Sequence, residues 1–256
     1  MESMLKPGRI FFAVAMACFG AHYLTYVIRP GSPAPGPPWF PGAVWLSCAA
    51  GAALLAAGAS LAINWKGRWT ALLLGVGLLL RVAIVHLPRL WANIHDPGPW
   101  TSGGEILSLC GGAFVLAGVL MREPASHTRG VPESKRTLVG QYLFALPLFI
   151  FGAQHIMYAA FLATLVPAWI PWHLFWAYFI GAAFIATALA IIIRVGAGVA
   201  SSLLGVMFFL WVLVLHVPRV AASPHNGNEW TSMFMALAMS GSAWAVAGTL
   251  ARREQY

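Results

Sequence analysis

Charge is what this sequence has least of. Asp, Glu, Lys and Arg make up 9% of its 256 residues, and only seven are acidic. A soluble domain carries about 25% charged residues, so the chain cannot clothe a water-facing surface and a soluble enzyme is excluded. Cysteine is scarce as well. Cys18, Cys48 and Cys110 each lie inside a hydrophobic run with no C-x-x-C spacing, which excludes a disulfide framework and a thiolate metal site. There is no C-x-x-C-H for covalent haem. The phosphate-cradling and nucleophile-elbow motifs G-x-x-x-x-G-K, G-x-G-x-x-G and G-x-S-x-G are missing too, so nucleotide and hydrolase chemistry have no support.

What the sequence does have is long apolar runs. Runs such as 41–63 and 137–167 exceed the roughly 18–20 residues that cross a bilayer. Eight spans can be marked, at approximately 10–28, 41–63, 70–90, 104–121, 139–163, 173–193, 199–220 and 231–250. The fold class expected is an all-α membrane protein with eight transmembrane helices. One stretch rich in charge, Pro and Ser, from Arg122 to Arg136, reads as an exposed linker. The chain then divides into a first four-helix repeat over 1–121, a linker over 122–138 and a second four-helix repeat over 139–256.

The net charge of +8 sits at span ends rather than in a stripe, so nucleic acid is excluded as a partner and the bilayer is the expected one. Lys6, Arg9, Lys66, Arg68, Arg122, Arg129, Lys135, Arg136, Arg194, Arg252 and Arg253 fall on one face, and Arg29, Arg89 and Arg219 on the other. The positive-inside rule puts both termini and the linker in the cytoplasm, in a bacterial inner membrane. Most tryptophans, among them Trp39, Trp45, Trp91 and Trp169, fall near the outer ends and read as an aromatic belt.

The two halves repeat each other. Shifting the sequence by 130 residues lays His86–Ser102 over His216–Ser232 with eight identities in 17 ungapped positions. The same shift lays Pro37-P-W-F-Pro41 over Pro167-A-W-I-Pro171 and Gly51 over Gly181. F-G-A-His22 matches F-G-A-Q-His155 once the first loop is given three extra residues. Four spans per half is an even number, which makes the repeats parallel, related by an axis along the membrane normal.

Candidate functional residues follow from the cost of burying polar groups in lipid. His22, His86, His155 and His216 lie in or at the ends of spans, where ionisable groups mark ligand, ion or proton paths. The third and seventh spans end in H-x-P-R. Because proline removes a helical hydrogen bond, the helix is expected to kink or stop near Leu87 and Val217, freeing the carbonyls of Ile84 and Val214. Arg89 and Arg219 then stand at the outer interface. The loops beyond carry His95, Trp100, His225 and Trp230, with Asp96, Glu105 and Glu229 as the acids of that side. Acid, base and aromatic plates suit a ring with a polar head, such as a quinol, whose oxidation needs proton acceptors. Non-covalent haem b between first and third spans is the lesser alternative.

The shared pattern, F-G-A then His, P-x-W-[FI]-P, and a third span ending H-x-P-R, resembles the DoxX/DoxD-like integral membrane proteins in a tandem, duplicated form. Those are four-helix units associated with thiosulfate:quinone oxidoreductases and terminal quinol oxidases. The resemblance implies a quinone- or quinol-interacting subunit of a bacterial membrane redox system with redox partner subunits. A non-catalytic assembly subunit and a transporter of a small anion or metabolite are the alternatives. One headgroup site is expected from His86, Arg89 and His95, and a second from His216, Arg219 and His225. Under the shift, Arg81 falls on Trp211 and Glu105 on Met235, so the first half alone has a buried cation with a nearby acid. An Arg81–Glu105 interaction and a specialised first half are therefore expected.

Overall fold

A computed structural model describes residues 4–28, 43–120 and 134–250. The P-x-W-F-P motif at 37–41, Arg29, Trp39, the linker residues 122–133 and Arg252 and Arg253 lie outside the described residues. All regular structure among the described residues is helical: α1 (Leu5–Ile28), α2 (Ala43–Ala62), α3 (Gly67–Arg81), α4 (Leu87–Ala92), α5 (Pro97–Leu120), α6 (Lys135–Met157), α7 (Ala159–Ala163), α8 (His173–Ile193), α9 (Ala197–Trp211), α10 (Val217–Ala222) and α11 (Gly227–Leu250). Eight of the helical stretches are long and apolar enough to cross a membrane, with α3–α4 and α9–α10 each counting as one span. This is an all-α membrane protein. Leu73, Ile84 and Leu203, all mid-span, are largely exposed, as aliphatic side chains facing lipid should be.

The H-x-P-R segments neither stop nor break their helices. Val82–His86 and Val212–His216 are π-helical turns, and the spans run on through α4 and α10. The Leu87 amide donates to the Val82 carbonyl, and the Val217 amide to the Val212 carbonyl, each five residues back. Pro88 and Pro218 lack an N–H and crowd the carbonyl four residues earlier. A turn widened by one residue accommodates both and keeps the helix continuous.

The packing partners show how the repeats meet. α1 packs on α2 and on α11, while α6 packs on α8 and on α5; α3 lies on α5 and α9 on α11, and α5 crosses α11 at the centre. Each repeat thus sends its first span onto the fourth span of the other. α5 and α11 are 61% and 78% buried over their apolar windows, against 28–50% for the other six spans. Close approach depends on glycine at equivalent places. A Cβ on Gly111 would fall 2.5 Å from the Gly140 carbonyl oxygen, and one on Gly241 would fall 2.8 Å from that of Gly8. Matching polar ties reinforce the relation: the Cys110 thiol donates to the Gly75 carbonyl at 3.2 Å, and the Ser240 hydroxyl to the Gly205 carbonyl at 2.8 Å.

Glycine contacts also fix the register of the first spans. Gly20 meets Gly51 on α2, and Gly152 meets Gly181 on α8. Gly20 therefore corresponds to Gly152, His22 to Gln154, and Tyr23 to His155. Gln154 bonds to Thr101 and to the Pro97 carbonyl at the start of α5. His22 lies against Gly227 at the start of α11, where a Cβ would sit 3.3 Å from its Nε2. Pairing His22 with His155 by residue type is thus corrected by one position.

Candidate functional site

A cavity of about 680 Å³ lies in the half of the spans nearer Arg219. Its walls come from α6, α8, α9, the second π turn and α11, with the first turns of α5 closing one side. Pro147 and Phe151 touch α5 at Gly104, where a Cβ would come within 3.0–3.2 Å of them, and this contact holds α5 against α6. Most of the lining is aliphatic or aromatic, with Phe151, Phe184, Phe208, Trp211 and Met239 prominent; Glu105, His155 and His216 supply chemistry.

His155 is held firmly. Its Nδ1 lies 2.8 Å from the Phe151 carbonyl oxygen. Its ring sits edge-on to Phe184 at 5.2 Å and stacks on Trp211 at 6.4 Å with planes 20° apart. His216 is buried on the π turn, and its Nδ1 has no hydrogen-bond partner among the described residues. Glu105, in the third turn of α5, has neither hydrogen bond nor ion pair among the described residues. An unpaired carboxyl inside a span is costly, and this one lines a space large enough for a ligand. Above the cavity, Leu165, Val166, Pro167 and Ile170 form a roof. Arg219 pins it by donating from Nη2 to the Leu165 carbonyl at 3.1 Å, and Trp176 donates to the Pro171 carbonyl at 3.1 Å.

Of the residues singled out in the sequence, Glu105, His155, His216 and Arg219 come together here. Arg81 and Glu105 do not pair. Arg81 is exposed, and its Nη1 donates to the Tyr23 hydroxyl at 3.3 Å. The reason is helical phase: Cys110, which faces α3 through Gly75, is five residues beyond Glu105, so the two point roughly 140° apart on α5. Glu105 accordingly faces α6, and the cavity is lined mainly by the second repeat and closed by a wall from the first. His86 is buried on the first π turn, its Nδ1 3.5 Å from the Ser102 hydroxyl and its Nε2 without a partner among the described residues. Arg89, His95 and His225 are exposed and outside the lining of this cavity. His22 packs edge-on to Phe234. Trp100 and Trp230 brace their loops by donating to the carbonyls of Ile94 and Pro224 at 2.8 and 2.9 Å.

Residues that sequence reasoning passed over include Trp211, Phe184, Gln154 and the roof. Trp211 carried a signal, because it replaces Arg81 under the repeat and stacks where Arg81 reaches Tyr23. Among the described residues, no three His, Cys, Asp or Glu side chains gather as a metal ion would require. Comparison with known protein families, with curated proteins and with solved structures gives no match.

Proposed function

We propose that the chain binds a quinone or quinol in this cavity, as the ligand-holding subunit of a membrane redox system. The observation that carries the reading is a mostly apolar, intramembrane cavity of about 680 Å³ whose carboxyl and imidazole side chains, Glu105, His155 and His216, are without a salt-bridge partner among the described residues. The volume falls within the range of about 300–1,000 Å³ usual for small-molecule sites. A ring with an isoprenoid or alkyl tail satisfies Phe151, Phe184 and Trp211, while its oxygens meet the carboxyl and imidazoles. When bound, such a group supplies two-electron, two-proton chemistry. The chain's own residues orient the head, exclude lipid and hold protons at Glu105 and the histidine nitrogens. The DoxX-like motif pattern favours the same ligand class and, with it, redox partner subunits. The bias of Lys6, Arg9, Lys66, Arg68, Lys135, Arg136 and Arg194 towards one end of the spans supports cytoplasmic termini in a bacterial inner membrane.

Solvent extraction of protein purified in a lipid-preserving detergent tests this reading. Once oxidised, the extract is expected to carry a quinone ultraviolet chromophore whose amplitude falls when it is treated with borohydride, in a ratio approaching one per chain. A Soret band in the intact protein, or an extract free of quinone together with no uptake of added decylubiquinone, contradicts it.

A further inference from the structure

We propose that the cavity takes its ligand in the hydroxyl-bearing form, a quinol or other phenol, in preference to the oxidised quinone, and that His155 sets this preference. The inference rests on the quinone/quinol reading above and adds which redox form the site selects. Its basis is the hydrogen-bond inventory of one side chain. The Phe151 carbonyl oxygen can only accept, so the His155 Nδ1 at 2.8 Å must donate to it and carries the proton. In the neutral ring Nε2 is then a bare acceptor, and no described residue gives it a hydrogen. Phe184 and Trp211 fix the plane of the ring, and a half-turn within that plane would put a carbon where Nδ1 now bonds the Phe151 carbonyl, so the nitrogens do not exchange roles without losing that hydrogen bond. Charging the imidazole to make a second donor is disfavoured in an apolar intramembrane space. A hydroxyl on the ligand head donates to Nε2. A quinone carbonyl would set lone pair against lone pair and leave the acceptor unsatisfied, the costly case for a desolvated polar group. Glu105 and His216 answer an oxygen of either form, so the choice falls to His155.

The duplicated structure separates this role from packing. The equivalent position of the first repeat holds Tyr23, which receives a hydrogen bond from Arg81, while its neighbours Gly20 and Gly51 make the same helix contact as Gly152 and Gly181. The span packs without an imidazole there. The bare imidazole acceptor lies in the second repeat, beside the cavity.

Equilibrium dialysis of the full-length chain in lipid nanodiscs tests the proposal with two matched pairs: decylubiquinol against decylubiquinone, and the redox-inert 4-nonylphenol against its methyl ether. The hydroxyl-bearing member of each pair is expected to bind roughly ten-fold more tightly, the scale of one unsatisfied polar group. His155→Phe keeps a ring between Phe184 and Trp211 and should bring each pair to within about two-fold. Equal binding of both members to the unaltered protein overturns the hydroxyl preference and leaves the quinone/quinol reading standing. Failure of both decyl probes to bind overturns that reading as well. A preference that persists in His155→Phe overturns the assignment to His155, and if that variant does not fold, His155→Leu is read in its place with the same two outcomes.

Discussion

Glu105 shows most plainly how a residue can work against the fold that carries it. A carboxyl with no partner among the described residues, in the third turn of a span, costs stability that a leucine of similar reach would not. Glu105→Leu is therefore expected to raise the melting temperature of the ligand-free protein, by an amount corresponding to about 1–3 kcal/mol, and to abolish the stabilisation given by added quinol. Differential scanning fluorimetry with and without decylubiquinol reads both effects. A fall in the ligand-free melting temperature would show that the carboxyl has a structural role. At this scale the sequence was partly legible. Glu105, His155 and His216 stood out because ionisable groups are rare in lipid. Their grouping did not, because it depends on which side of α5 faces α6. Arg81 was misjudged for the same reason: depth along a helix follows from counting residues, whereas facing requires the phase of the neighbouring helix.

At the scale of elements, the spans read cleanly from composition, since length and apolarity alone define them. The behaviour of H-x-P-R did not. Proline implies a lost hydrogen bond, but whether a helix ends or widens depends on what continues beyond it, and here α4 and α10 are held as extensions of α3 and α9. The register of the first spans was also misread by one residue, because matching His22 to His155 favours chemical identity while the helices are located by Gly20–Gly51 and Gly152–Gly181. At Gly111 and Gly241 the neighbouring atoms are backbone, with nothing that can give. Gly111→Leu, facing the Gly140 carbonyl, and Gly241→Leu, facing that of Gly8, should each destabilise the protein, by at least the ~1–3 kcal/mol typical of overpacking. Gly77→Leu, where a Cβ would meet nothing within 4 Å, should be neutral. Equal losses of melting temperature at all three positions would refute the packing scheme.

For the whole molecule, the repeat was legible and its assembly was not. Duplication suggests two bundles side by side, yet α1 lies on α11 and α6 on α5, so each half is completed by the other. Separate fragments 1–121 and 122–256 are expected not to accumulate as folded proteins alone, and to yield a one-to-one complex when co-expressed. Stable accumulation of either fragment by itself, judged by size-exclusion chromatography, would contradict the exchange of first spans. That exchange is also what brings Glu105 of the first repeat to His155 and His216 of the second, so the cavity belongs to neither half alone. The most direct test of its role as a quinone site is photolabelling of the full chain with an azidoquinone, mapped by mass spectrometry. Labels are expected on segments 97–105, 151–180 and 208–219, and excess decylubiquinol should displace them. Labelling confined to α2 and α3, or labelling that excess ligand does not displace, would contradict the account.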